Sequence, residues 1–326
     1  MNKNTKRLNI LFLGGAKRVS IARMLKDAGS RLGTDVGIFS YELDTRVPIA
    51  IEGPVIEGLR WGDSAILEHI HDTVVDRDIN VIIPFVDPAV GVAARYRDKY
   101  NDVFVPVGST RSVEQMFDKI AADEAFSQVG LPRPNLIPGP GGEPVFPVIA
   151  KPRHGSASKG LVVVHSTEEL RPYIASRATH LVQRYIANSE EYTVDCYVSL
   201  DGEIKVVSPR RRGEVSGGEV TTTVTVESPE IVNLTVKALK ALDLRGAVTV
   251  QFIVDKSQPD FNPMIMEINP RLGGGVVASV HAHADIPQYI IADALGIGTE
   301  PCQNIVAGTF IARYQQEVVF VNGRRQ

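Results

Sequence analysis

Cysteine is nearly absent: Cys196 and Cys302 are the two in 326 residues, too far apart for a CxxC redox pair or a zinc knuckle. A reducing cytoplasm is the expected home. No stretch approaches the ~20 apolar residues of a membrane span. The basic start, Met1 to Arg7, precedes an apolar run of only Ile10 to Leu13, too short for the core of a secretion signal. A large excess of one charge is missing as well: 35 Lys+Arg nearly cancel 38 Asp+Glu, for a net charge of -3. Without a global basic field, neither nucleic acid nor an anionic membrane is an expected partner, so any anion site must be local. Internal repeats and low-complexity segments are also lacking.

What is present fits a globular chain of about two domains at ~150 residues each. Hydrophobic residues make up 44% and charged residues 22%, enough for a sizeable core. The first third alternates strand-like and helix-like segments: Leu8–Leu13, Ser20–Leu32, Val36–Tyr41, Asp63–Arg77 and Val81–Phe85. That rhythm predicts a parallel α/β layer. Ser109 or Thr110 then caps a helix carrying Val113, Met116, Phe117 and Ile120, which Gly130-Leu131-Pro132 stops. A run rich in proline and glycine, 132–147, reads as a loop or hinge. Beyond it the pattern is mostly antiparallel, with Tyr192–Leu200 and Glu203–Ser208 joined at Asp201-Gly202, and Ala247–Val254 pairing with Met264–Asn269.

Three stretches invite chemistry. Gly14-Gly15 follows the first strand, with Glu42 and Asp44 after the next, but the later glycines of a dinucleotide fingerprint are missing. A tight βα turn and a dinucleotide site are the two readings, and Lys17 and Arg18 leave a small-anion site open. Lys151 precedes Gly155-Ser156-Ala157-Ser158-Lys159-Gly160, where small residues let backbone N–H groups approach phosphate oxygens. The spacing is not that of a Walker A loop, and a bare hairpin turn is the alternative. In Met266-Glu267-Ile268-Asn269-Pro270-Arg271, residues i and i+2 of a strand share a face, so Glu267 and Asn269 point together, with Arg271 next on that face, while Met266 and Ile268 face the core. With Gln251 on the neighbouring strand they supply hard oxygen ligands of the kind Mg²⁺ accepts beside phosphates. An ordinary polar outer face is the alternative. Of lesser weight, Arg210-Arg211-Arg212 offers cations for a substrate carboxylate or a phosphate, or else a solvated strand end. Asp87 stands where α/β ligands tend to sit, or caps a helix. His69/His71 and His281/His283 read as surface or core histidines rather than metal ligands.

Together these residues resemble the ATP-grasp ligases, most closely the carbamoyl-phosphate synthase large-subunit type. The resemblance runs from about Ser109 to about Leu295, through Asp118-Lys119, Pro147–Pro152, the Gly-rich turn, Glu190-Glu191-Tyr192, Gln251 and Glu267–Arg271. It implies an α/β (α+β) architecture: a Rossmann-like pre-ATP-grasp domain over 1–108, then a two-lobed ATP-grasp domain over 109–326, divided near 182/183. It also implies ATP and Mg²⁺, with two ions, as cofactors. Lys119 and Lys151 would touch the phosphates, under a mobile loop from Gly155 through Ser156, Ser158 and Lys159 to Gly160. Gln183, Arg184, Tyr185 and Ile186 would meet adenine, and Glu191 the ribose. Gln251, Glu267 and Asn269 would hold magnesium, and Arg271 would stabilise the transferred phosphoryl group. Apart from the resemblance, Arg210, Arg212 and Asp87 are the candidates to face substrate. The implied activity is a stand-alone ligase joining a small carboxylate to an amine through an acyl phosphate. The alternatives are a carbamoyl-phosphate synthase-like unit, a non-catalytic ATP-binding regulator and a nicotinamide-dependent oxidoreductase. A homodimer is left open.

Overall fold

The computed structural model describes residues 7–137, 143–155, 159–175, 178–216 and 219–325; Ser156, Ser158 and part of the proline-rich run, 138–142, lie outside the described residues. The chain opens with β1 (Arg7–Leu13), α1 (Val19–Arg31), β2 (Asp35–Glu42), β3 (Val55–Glu57), α2 (Ile66–Asp76), β4 (Ile79–Pro84) and α3 (Asp87–Tyr100). The strands form the expected parallel sheet, in the order β3-β2-β1-β4. Ile10, Leu11, Phe12 and Leu13 are all buried, as a parallel strand covered on both faces demands. The cover comes partly from far along the chain, because α9 (below) packs Ile286, Ile290 and Ile291 into the same core as Ile10, Phe12 and Leu25.

The helix expected after Ser109 is two helices, α4 (Thr110–Phe117) and α5 (Lys119–Val129). Asp118 breaks it: its backbone is extended, and its carboxylate accepts from the N–H groups of Ile120 and Ala121, capping α5. A small antiparallel sheet follows, from β5 (Val148–Pro152), β6 (Val162–Val164), α6 (Thr167–Ala175) and β7 (His180–Arg184), in the order β6-β5-β7.

The remainder supplies β8 (Ser189–Val198), β9 (Ile204–Arg212), the short hairpin β10 (Val215–Ser216) and β11 (Glu219–Val220), β12 (Thr222–Thr225), α7 (Pro229–Ala241), β13 (Gly246–Asp255), β14 (Met264–Asn269), α8 (Val276–His281), α9 (Ile286–Leu295) and β15 (Phe310–Ala312). Both expected strand pairs form, inside a six-stranded sheet ordered β14-β13-β8-β9-β12-β15. Its register lays polar side chains in rows, since directly opposed residues share a face. One row runs Glu267, Gln251, Thr193, Arg210, and the next Asn269, Thr249, Asp195, Ser208. The opposite face is apolar. Val194, Cys196, Val248, Val250 and Ile268 bury there against Phe126 of α5 and Ile231 and Leu239 of α7. Among the described residues, no helix is long and apolar enough to cross a membrane.

Candidate active site

A cavity of about 700 Å³ opens where the small sheet, the polar face of the large sheet and the carboxyl edge of the parallel sheet meet. At one end stand lysines. Lys151, on β5, donates to Gln183 Oε1 at 2.9 Å, and Gln183 in turn donates to buried Asp123 at 2.8 Å, which Arg133 neutralises at 3.0 Å. Lys119 opens α5 and donates to the carbonyl of Gly155 at 2.6 Å. Arg153 fixes this corner by pairing with the capping Asp118 at 2.6 Å. Burial holds the Lys151 ammonium below the usual lysine range; Glu267 opposes that shift, and Lys119 adds to it. Both lysines thus rest on neutral oxygens, and Lys159 is exposed beside them. Gln183, expected at an adenine, is 3% exposed and occupied with Lys151 and Asp123. Arg184 pairs with Asp255, while Tyr185 and Ile186 line the cavity.

Across from the lysines, Glu267 lies directly opposite Gln251 in the β13/β14 ladder. Gln251 Nε2 and Asn269 Nδ2 both donate to Glu267 Oε1, at 2.7 and 2.9 Å. The expected convergence of these side chains is therefore present. Ile268 is buried as expected, whereas Met266 is half-buried and borders the cavity instead. No group of three or more His, Cys, Asp or Glu able to hold a metal exists among the described residues; this set is one carboxylate and two amides. Turning the Asn269 amide presents its oxygen beside Glu267. Those donors fit a magnesium ion that draws its other ligands from phosphate and water. Gln251 is more constrained, because its Oε1 accepts from Arg212 at 3.2 Å.

The other end is built on arginines, each on a carboxylate. Arg212 pairs with Glu191 at 2.6 Å, Arg210 with Asp195 at 2.8 Å, and Arg271 with Asp87 at 2.6 Å. A solvated strand end does not describe Arg210, whose side chain is 3% exposed. Arg271 does not continue the face of Asn269, because β14 ends at Asn269 and Arg271 follows in a turn. It reaches instead to the first turn of α3, where Asp87 is spent on the pair rather than on capping. Asp123 and Asp195 escaped the sequence reading. Asp195 was within reach of it, being four residues beyond Glu191 on the same strand face.

The Gly14-Gly15 turn is closed by the chain itself. The N–H groups of Gly15 and Ala16 bond the Glu42 carboxylate, which also accepts from Ser40 Oγ at 2.7 Å. Burial raises the Glu42 pKa despite these bonds. These N–H groups are thus satisfied within the chain, as a tight turn requires. His69 and His71 lie on α2 and bond Tyr41 and Tyr96.

Comparison with known proteins now adds to this geometry. Residues 176–317 match the family model described as ATP-grasp in the biosynthetic pathway with Ter operon. The carbamoyl phosphate synthase large chain of Methanoculleus marisnigri is 24% identical over 243 residues, which are 70% of this chain but only 21% of that one. The chain thus spans about a fifth of that relative. Among solved structures, the biotin carboxylase domain dimer of Hydrogenobacter thermophilus 2-oxoglutarate carboxylase, in complex with MgADP, ADP and bicarbonate, superposes with a TM-score of 0.71 at 19% identity, covering 93% of this chain and 73% of that one. The L-amino acid ligase of Bacillus licheniformis gives 0.65 at 19% identity, covering 90% and 75%. The protein has the ATP-grasp fold; over residues 176–317 its sequence matches an ATP-grasp family model, and it is similar in sequence to carbamoyl-phosphate synthase large chains.

Proposed function

We propose that the protein is an ATP- and Mg²⁺-dependent ligase that joins a carboxylate to an amine through an acyl phosphate, releasing ADP and phosphate. The observation that carries the reading is the pair of lysines, Lys119 and Lys151, resting on neutral oxygens across the cavity from the Glu267–Asn269 set. A polyphosphate would replace the Gly155 carbonyl and the Gln183 amide as their partner at little cost. Arg184, Tyr185 and Ile186 would border the adenine, and Glu191 the ribose. Glu267 and Asn269 would hold magnesium, which when bound neutralises charge on the phosphates. A second ion would require Gln251 Oε1 to leave Arg212.

In the proposed reaction a carboxylate oxygen of the acid attacks the γ-phosphorus and the bond to the β-phosphate bridging oxygen breaks, giving ADP. The amine nitrogen then attacks the acyl carbon, phosphate leaves, and the amine proton passes to solvent or phosphate. Arg271 would stabilise charge as it develops on the transferred group. Asp87, bonded to its Nε, would hold the guanidinium in place. A carbamoyl-phosphate-type reaction shares the first step, and the sequence similarity to the M. marisnigri large chain favours keeping it as the second reading. A homodimer belongs to the same proposal, since the Hydrogenobacter domain is a dimer. A phosphate-release screen over pairs of acids and amines, followed by chromatography of the spent nucleotide, tests the reading. ADP with inorganic phosphate is expected; AMP with pyrophosphate would refute it.

A further inference from the structure

Ser208 Oγ and Arg210 Nη1, two residues apart on one face of β9, are buried side-chain atoms with no hydrogen-bond partner among the described residues. Such orphans are rare, and an unmet charged donor is costly, so each one implies a partner that arrives from elsewhere. Arg210 is otherwise rigidly held. Its Nε and Nη2 donate to Asp195 at 2.8 and 3.4 Å, and Asp195 also accepts from Ser279 Oγ at 2.7 Å. Nη1 faces Gly275, where an added Cβ would lie 2.7 Å away. Gly275 has φ -95°, an ordinary backbone conformation, so packing against the guanidinium explains the missing side chain better than backbone strain does. Arg210 and Gly273-Gly274-Gly275 border the cavity together, on the arginine side.

We propose that Arg210 Nη1 is a carboxylate-reading donor of the substrate end, bonding an oxygen of a carboxylate that lies under Gly273–Gly275. Because Asp195 already cancels the charge of Arg210, the residue serves as an aimed donor rather than a source of field. That suits a single carboxylate and not a polyphosphate, and it separates this seat from the lysine end. The inference rests on the ligase reading for the meaning of the carboxylate. Two sources share the chemistry: the acid to be phosphorylated, and an amine substrate that carries a carboxylate of its own.

Saturation-transfer NMR on the full chain, with acetate, glycine and methylammonium as probes, with and without MgADP, tests it. Acetate and glycine binding together indicates the acid, and glycine alone indicates the amine; methylammonium is expected not to bind. Arg210→Lys and Gly275→Ala are each expected to weaken the carboxylate probes at least tenfold. Binding of MgADP by both variants is the control for folding. Arg210→Lys disturbs a buried pair, so Gly275→Ala, which keeps Arg210 and Asp195 but pushes a Cβ against the guanidinium, decides if the first variant does not fold. No carboxylate binding to the wild type, or equal binding to Gly275→Ala, overturns the proposal and leaves an ordered water as the partner of Nη1. A wild type that binds acetate but not MgADP would sink the ligase reading while leaving this seat intact.

Discussion

The two ends of the cavity solve the same electrostatic problem in opposite ways. At one end, Lys119 and Lys151 rest on a backbone carbonyl and a side-chain amide, and among the described residues no carboxylate pairs directly with either. At the other, Arg212, Arg210 and Arg271 each hold a carboxylate: Glu191, Asp195 and Asp87. A lysine is a compact charge whose neutral partner is readily exchanged, whereas a guanidinium bound through one edge keeps its remaining N–H groups aimed. Cation count alone therefore says little about an anion site. The lysine end has net field for a polyanion, and the arginine end has direction for small, precisely shaped groups.

The strongest way to break this contrast is to remove Arg271. Arg271→Ala takes away a donor that the account places at the developing phosphoryl charge, so kcat should fall by roughly 10³ while ADP affinity changes by less than about threefold. Equal losses in both would move Arg271 to ground-state binding. Next in size, Glu267→Gln removes the single carboxylate of the oxygen set at nearly constant volume. Magnesium should then strengthen ADP binding by about tenfold less than in the wild type; an unchanged magnesium response in calorimetry would remove Glu267 from the metal site. Asp87→Asn sharpens the comparison at the arginine end, because it keeps the shape but drops the charge partner of Arg271. A fall in kcat of about tenfold with ADP affinity intact is expected. An unaltered kcat would show that Arg271 needs no such anchor.

The smallest effect is a pH dependence. Burial, the main cause, depresses the pKa of Lys151, and phosphates need its charged form. ADP affinity should therefore decline as pH rises through that depressed value, earlier than for an ordinary lysine, and binding above it should take up a proton. An affinity that declined no earlier than an ordinary lysine titrates, at about pH 10.4, would contradict this.

Much of this was legible in the sequence where neighbours in the chain are neighbours in space. Period-two alternation placed Glu267 with Asn269, and Asp201-Gly202 announced the β8/β9 hairpin. The misreadings came from interactions over long separations or from a local competitor. Asp118 broke a helix whose apolar spacing was continuous, because its carboxylate found backbone donors at Ile120 and Ala121. Arg271 left the strand for Asp87, 184 residues away, and no spacing rule reports such a pair. Glu42 bonded the Gly15 turn from the neighbouring strand, a partner that the glycines alone do not announce. The helices α7 and α9 fell in stretches where strand signals dominated the reading, yet α9 completes the core of the first sheet.

Calorimetric titration of MgADP into the wild-type chain and into Lys151→Met asks whether the lysines hold phosphate. Binding to the wild type is expected, with a loss of about 100-fold, about 2.7 kcal/mol, in the variant that shrinks as salt screens the lysine field. A wild type that fails to bind MgADP, or a Lys151→Met variant that binds it equally well, would contradict the assignment of the lysine end to phosphate.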